Sequence, residues 1–69
     1  MKVEIDDVVY TVEAKGRVQA VRRAAELATK TAAGSAKIPT FRGFMPHGVM
    51  YFVEVNGVRM SAIVRNGGE

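Results

Sequence analysis

Val49-Met50-Tyr51-Phe52-Val53-Glu54-Val55-Asn56-Gly57-Val58-Arg59-Met60-Ser61-Ala62-Ile63-Val64-Arg65 decides the fold of this 69-residue chain. Two apolar-rich runs flank Asn56-Gly57. A two-residue type I′ turn needs positive φ at both central positions, and Asn-Gly adopts them at little cost. The turn sets the register of the strands it joins. Val55 then faces Val58, Val53 faces Met60, Tyr51 faces Ala62 and Val49 faces Val64, and these eight side chains share one face. Glu54 with Arg59, Phe52 with Ser61 and Met50 with Ile63 occupy the opposite face.

The pattern recurs at the start of the chain. Val3 and Ile5 alternate with Lys2 and Glu4, and Val8, Tyr10 and Val12 alternate with Val9, Thr11 and Glu13. A turn at Asp6-Asp7 places Ile5 opposite Val8 and Val3 opposite Tyr10. Asp-Asp is a weaker turn pair than Asn-Gly, so a longer loop stays open at this point. Gly16 separates this hairpin from a helix expected over about 17–33, rich in alanine. At 100° per residue, Val18, Val21, Ala24, Ala25, Leu27, Ala28 and Ala32 form its apolar arc. Gln19, Arg22, Arg23, Glu26 and Lys30 fall on the other side, with Glu26 four residues from both Arg22 and Lys30. Gly34 reads as the helix stop.

Residues 34–48 contain three glycines and two prolines, a composition that opposes regular structure throughout. They read as a long loop, with a short edge strand available between Ile38 and Phe44. Ile38, Phe41, Phe44 and Met45 are its candidate packing residues. Residues 66–69 read as a flexible tail. The expected fold is therefore α+β: one domain over 1–69, an antiparallel sheet of four to five strands in the order β-β-α-(β)-β-β, and one helix on one face. The expected core is Val3, Ile5, Val8, Tyr10, Val12, Val18, Val21, Ala25, Ala28, Tyr51, Val53, Val55, Val58, Met60 and Val64.

A chain this short buries only roughly 60% of its unfolded surface. It has no cysteine to staple it. Nothing approaches the roughly 18 apolar residues of a membrane span, and acidic residues interrupt the start where a signal peptide would lie. The expectation is a cytoplasmic protein with no membrane partner. The formal net charge of +3 is unevenly spread. Residues 1–14 set Lys2 against Glu4, Asp6, Asp7 and Glu13, whereas residues 15–48 set seven cations against Glu26 alone. Such a field steers an anionic partner.

Catalytic equipment is sparse. His47 is the single histidine and reads as a loop residue rather than a lone acid or base. Asp6-Asp7 is a weak cation ligand at best, and no histidine–cysteine metal set is possible. Ser35 and Ser61 have no recognisable base, and phosphate-binding glycine loops are missing. The expectation is a non-enzymatic protein with no cofactor and no metal.

Two features point to binding. Arg22, Arg23 and Lys30 on the helix, with Lys37, Phe41, Arg42 and Phe44 after it, interleave cations and aromatics in a way that suits a nucleic-acid strand. In so small a domain, the expectation is that both phenylalanines are core. The second feature is the outer face of the C-terminal hairpin, where Met50, Phe52 and Ile63 point away from the helix. The loop, a second copy or a foreign partner must cover it. The partner-binding set is thus Arg22, Arg23, Lys30, Lys37, Arg42 and Arg59, with Met50, Phe52 and Ile63 as an apolar interface.

Gln19-Ala20-Val21-Arg22-Arg23-Ala24 and Glu54-Val55-Asn56-Gly57-Val58-Arg59-Met60-Ser61 resemble small phage anti-CRISPR proteins that act on type I effector complexes. That resemblance covers about a third of the chain, and both motifs are generic. It implies a stoichiometric inhibitor whose partner is a protein or ribonucleoprotein complex. The alternatives are a direct DNA- or RNA-binding module, a structural homodimer, and a modifier. The order of hairpin, helix, loop and hairpin is shared with the β-grasp, and Gly67-Gly68 resembles the end of ubiquitin-like modifiers. Glu69 follows that pair. The Gly-Gly-Glu ending also resembles prokaryotic ubiquitin-like protein, whose family is acidic and disordered where this chain is basic and patterned.

Overall fold

The computed structural model describes residues 1–66. Its elements are β1 (Lys2–Ile5), β2 (Val8–Thr11), α1 (Arg17–Thr29), β3 (Thr40–Met45), β4 (Gly48–Val55) and β5 (Val58–Arg65). The strands form one antiparallel sheet in the spatial order β2-β1-β5-β4-β3. The helix packs on one face, against β1, β2, β4 and β5 but not β3.

Both expected hairpins have the expected register. Val55 pairs with Val58, Val53 with Met60, Tyr51 with Ala62 and Val49 with Val64. Ile5 pairs with Val8 and Val3 with Tyr10. Asn56 and Gly57 take φ of 50° and 83°, and Asp6 and Asp7 take 52° and 66°. The tight turn therefore forms at Asp6-Asp7 too, because aspartate tolerates the left-handed region better than most residues.

A third hairpin joins β3 to β4. Met45 pairs with Gly48, so Pro46 and His47 make the turn. The 34–48 segment thus extends the sheet sideways instead of folding across it. Ile38, Phe41 and Phe44 are 76%, 51% and 80% exposed, which overturns the expectation that they pack the loop or the core. The reason is geometric: β3 lies at the sheet edge, beyond the reach of the helix.

The helix ends at Thr29, four residues short of the expected Ala33. Lys30, not Gly34, takes the left-handed capping conformation, at φ 58° and ψ 43°. The Thr31 amide donates to the Glu26 carbonyl at 2.9 Å and the Lys30 amide to the Leu27 carbonyl at 3.2 Å. This is a Schellman closure with lysine where glycine is usual. Lys30→Gly is accordingly expected to stabilise the fold by about 0.5–1 kcal/mol, raising Tm by roughly 3–6 °C in a thermal melt. An unchanged or lower Tm would show that the left-handed lysine carries no penalty.

Val3, Ile5, Val12, Val49, Tyr51, Val53, Val55, Ala62 and Val64 from the sheet meet Ala20, Val21, Ala24 and Ala25 from the helix, all buried. Alanines at the contact let the helix backbone approach the sheet closely. Three expected core residues lie outside it: Val8, Val18 and Val58 are 50%, 43% and 54% exposed. Val8 sits on the short edge strand. Pairing of β1 with β5 runs only over Val3–Glu4 and Ile63–Val64, so Val58 has a neighbouring strand on one side alone. Val18 is on the first turn of the helix, off the stripe that buries 20, 21, 24 and 25.

Candidate functional site

No described element covers the sheet face opposite the helix. Alternation along the strands places Val9 of β2, Glu4 of β1, Ile63 and Ser61 of β5, and Met50 and Phe52 of β4 on it. Registers set Val9 beside Glu4, Glu4 beside Ile63, Ile63 beside Met50, and Ser61 beside Phe52 beside Thr40. Met50 and Ile63 are half-buried by their neighbours, and Phe52 is 39% exposed. The expected apolar interface of Met50, Phe52 and Ile63 is therefore a contiguous patch.

Cations ring this patch. The Arg42 guanidinium carbon lies 4.6 Å from the centre of the Phe52 ring, a cation–π contact worth about 0.5–1 kcal/mol at an exposed site. Arg59 faces Glu54 across the strand pair. Lys37 Nζ lies 3.4 Å from Glu54 Oε2. A shallow groove of about 340 Å³ runs between Lys37, Ile38, Thr40, Phe52, Glu54 and Arg59. The arrangement is an apolar centre with a polar, mainly basic rim, the anatomy of a protein interface.

The six cations singled out in the sequence do not form one surface. Lys37, Arg42 and Arg59 lie on the open face, and Arg22, Arg23 and Lys30 lie on the helix side. Two of the helix cations have structural tasks. Arg22 Nη2 donates to the Ala36 carbonyl at 3.0 Å, and Arg23 Nη1 is 3.6 Å from Glu26 Oε1. Glu26 does not sit on a solvated face with Arg22 and Lys30. It is 3% exposed, and its Oε2 accepts the amides of Gly34 and Ala36, both at 3.0 Å. Ala36 also bridges to Val55, and the Lys37 amide donates to the Glu54 carbonyl at 2.9 Å. Residues 34–37 thus form a strap from the helix to β4, clamped by Arg22 and Glu26.

Phe41 and Phe44, singled out in the sequence as either strand-binding or core, form a second exposed aromatic group, and what sequence reasoning missed is the bulge that pairs them. A bulge between Phe41 and Gly43 shifts the register of β3 on β4. Residues three apart in a regular strand point to opposite faces, but the extra residue returns Phe44 to the side of Phe41. Both then lie on the helix side, at the edge the helix does not cover. Phe41 and Phe44 meet edge-to-face with centroids 5.4 Å apart, and Phe41 meets Tyr51 at 6.0 Å. Arg17 Nε donates to the Tyr51 hydroxyl at 3.2 Å. The Asn56-Gly57 turn signals β4 and β5 locally; no such local signal marks the bulge.

Among the described residues, no three or more histidine, aspartate or glutamate side chains are grouped to hold a metal ion. Nor does any helix among them have the length and apolarity to cross a membrane. Gly67, Gly68 and Glu69, on which the modifier resemblance rests, lie outside the described residues. No protein-family model matches the chain, and no curated protein and no solved structure matches it.

Proposed function

We propose that this chain is a non-enzymatic binding protein that docks its open sheet face on a nucleic-acid-processing complex and obstructs it stoichiometrically. Such action would parallel the phage inhibitors of type I effector complexes that its helix and C-terminal hairpin resemble, and it belongs to the cytoplasm. The observation that carries the reading is Phe52 under Arg42, half exposed at the centre of a sheet face that no described element covers. Aromatic residues and arginines dominate the energetics of protein interfaces, and a contiguous apolar patch on a small domain marks a contact surface. Met50 and Ile63 widen the apolar centre. Arg42, Arg59 and Lys37 favour a partner surface that carries acidic groups.

The experiment titrates the protein into a type I effector complex and follows target-DNA binding. Inhibition should saturate near one protein per binding site. Phe52→Lys and the double variant Arg42→Glu, Arg59→Glu should each weaken inhibition by roughly 30-fold or more, about 2 kcal/mol or above. Their circular dichroism should match the parent. Reversing Arg22 or Arg23 is a poorer test, because it strikes the Glu26 clamp. Full inhibition by the Phe52→Lys variant would remove the open face from the mechanism. Sedimentation separates the remaining case: a dimer that Phe52→Lys converts to a monomer would give the face to a second copy of the chain.

A further inference from the structure

We propose a second binding site, on the other side of the sheet edge: the aromatic step of Phe41 and Phe44, which the geometry assigns to single-stranded nucleic acid. The step does not belong to the open-face site, and the two readings stand independently. Phe44 is 80% exposed and Phe41 51%, the first and fourth most exposed among the large hydrophobic residues described, with Ile38 of the same segment second. They are aimed together by the bulge at Arg42–Gly43 and propped by Tyr51. A bulge on an edge strand re-aims side chains and breaks the ladder that an added strand would need. That argues against a peptide or a second β3 extending the sheet here, and for a partner that uses the rings themselves.

Charge selects the partner. Between Ala14 and Val53 the chain has a single carboxylate, Glu26, and that one is buried in the strap clamp. The neighbours of the step are β4, whose only carboxylate is Glu54 on the opposite face beside Lys37, and the start of the helix, which has no acidic residue in its first turn. Arg17 is held beside the step by its hydrogen bond to Tyr51. Exposed rings beside Arg17, with no carboxylate placed next to them among the described residues, suit unstacked bases on a charged backbone. A duplex hides its base faces and does not fit.

Fluorescence anisotropy with labelled oligo(dT) and oligo(rU), against a blunt duplex of equal length, tests the assignment. The single strands should bind, the duplex should bind more weakly, and affinity should fall as salt rises. Phe44→Ala and Phe41→Ala should each weaken single-strand binding about tenfold. Phe44→Tyr should retain it, and Thr11→Ala on the far edge strand should leave it unchanged. Phe44 is so exposed that its replacement should not shift the melting curve, which separates lost binding from lost folding. Three results would each overturn the assignment. They are no binding of single strands at low salt, equal binding of the duplex, and full affinity in the Phe44→Ala variant. A concentration-dependent dimer that Phe44→Ala dissociates would likewise overturn it, in favour of a second copy of the chain.

Discussion

Gly48→Ala should be the most damaging small substitution in the protein, lowering stability by about 3 kcal/mol. Gly48 is buried where three strands meet: it pairs with Met45 of β3 and with Arg65 of β5. A Cβ built there runs into the Val64 carbonyl oxygen and lies 2.7 Å from Ile63 Cγ2. The side chain of Ile63 can rotate away. The Val64 carbonyl belongs to the backbone of the central strand and cannot move without opening the β4–β5 ladder. A domain of this length holds only about 3–10 kcal/mol in total. Thermal or urea unfolding should therefore show Tm lower by roughly 15 °C, or a chain partly unfolded at room temperature. A Gly48→Ala protein melting within a few degrees of the parent would mean that the β4–β5 backbone yields far more easily than a central pairing should.

Glu26→Ala should cost about 2–4 kcal/mol, since it removes a charged acceptor from two amides, one of them on the buried Ala36. It also releases Arg23 from its contact with that carboxylate. Glu26→Gln keeps an oxygen that can accept both amides and should cost only about 1 kcal/mol. The difference between the two variants isolates the clamp from the helix. Hydrogen exchange gives an independent readout: the Ala36 amide should lose protection in Glu26→Ala, while amides in the β4–β5 hairpin keep theirs. Equal melting of the alanine and glutamine variants would show that the carboxylate does not hold the strap.

These two positions mark the limits of what was legible from composition and pattern. The hairpins were legible because their instructions are local. Asn56-Gly57 and Asp6-Asp7 set positive φ, the turn sets the register, and alternation sets the faces. The open patch of Met50, Phe52 and Ile63 followed from the same alternation. Glu26 was misread because helical periodicity gives only direction. It points away from the main apolar arc, yet a strap eight to ten residues further along the chain returns to cover it. The lysine cap at Lys30 was also hidden, since Gly34 carries the stronger local signal and takes positive φ one turn too late to end the helix.

The cations show the same division. Their residue types and chain positions were plain, and they suggested a single basic surface. Tertiary placement splits them across the sheet and gives Arg22 to the Ala36 carbonyl and Lys37 to the neighbourhood of Glu54. Phe41 and Phe44 depend on non-local structure most of all. Whether they are core or surface depends on how far the helix extends over the sheet, and whether they share a face depends on one inserted residue in β3. Local backbone preference and side-chain alternation act over two to four residues, and they suffice for strands, turns and faces. Strand order, helix coverage and the closure of the strap arise from contacts between segments far apart in the chain. Those contacts decide which apolar and charged groups remain for a partner.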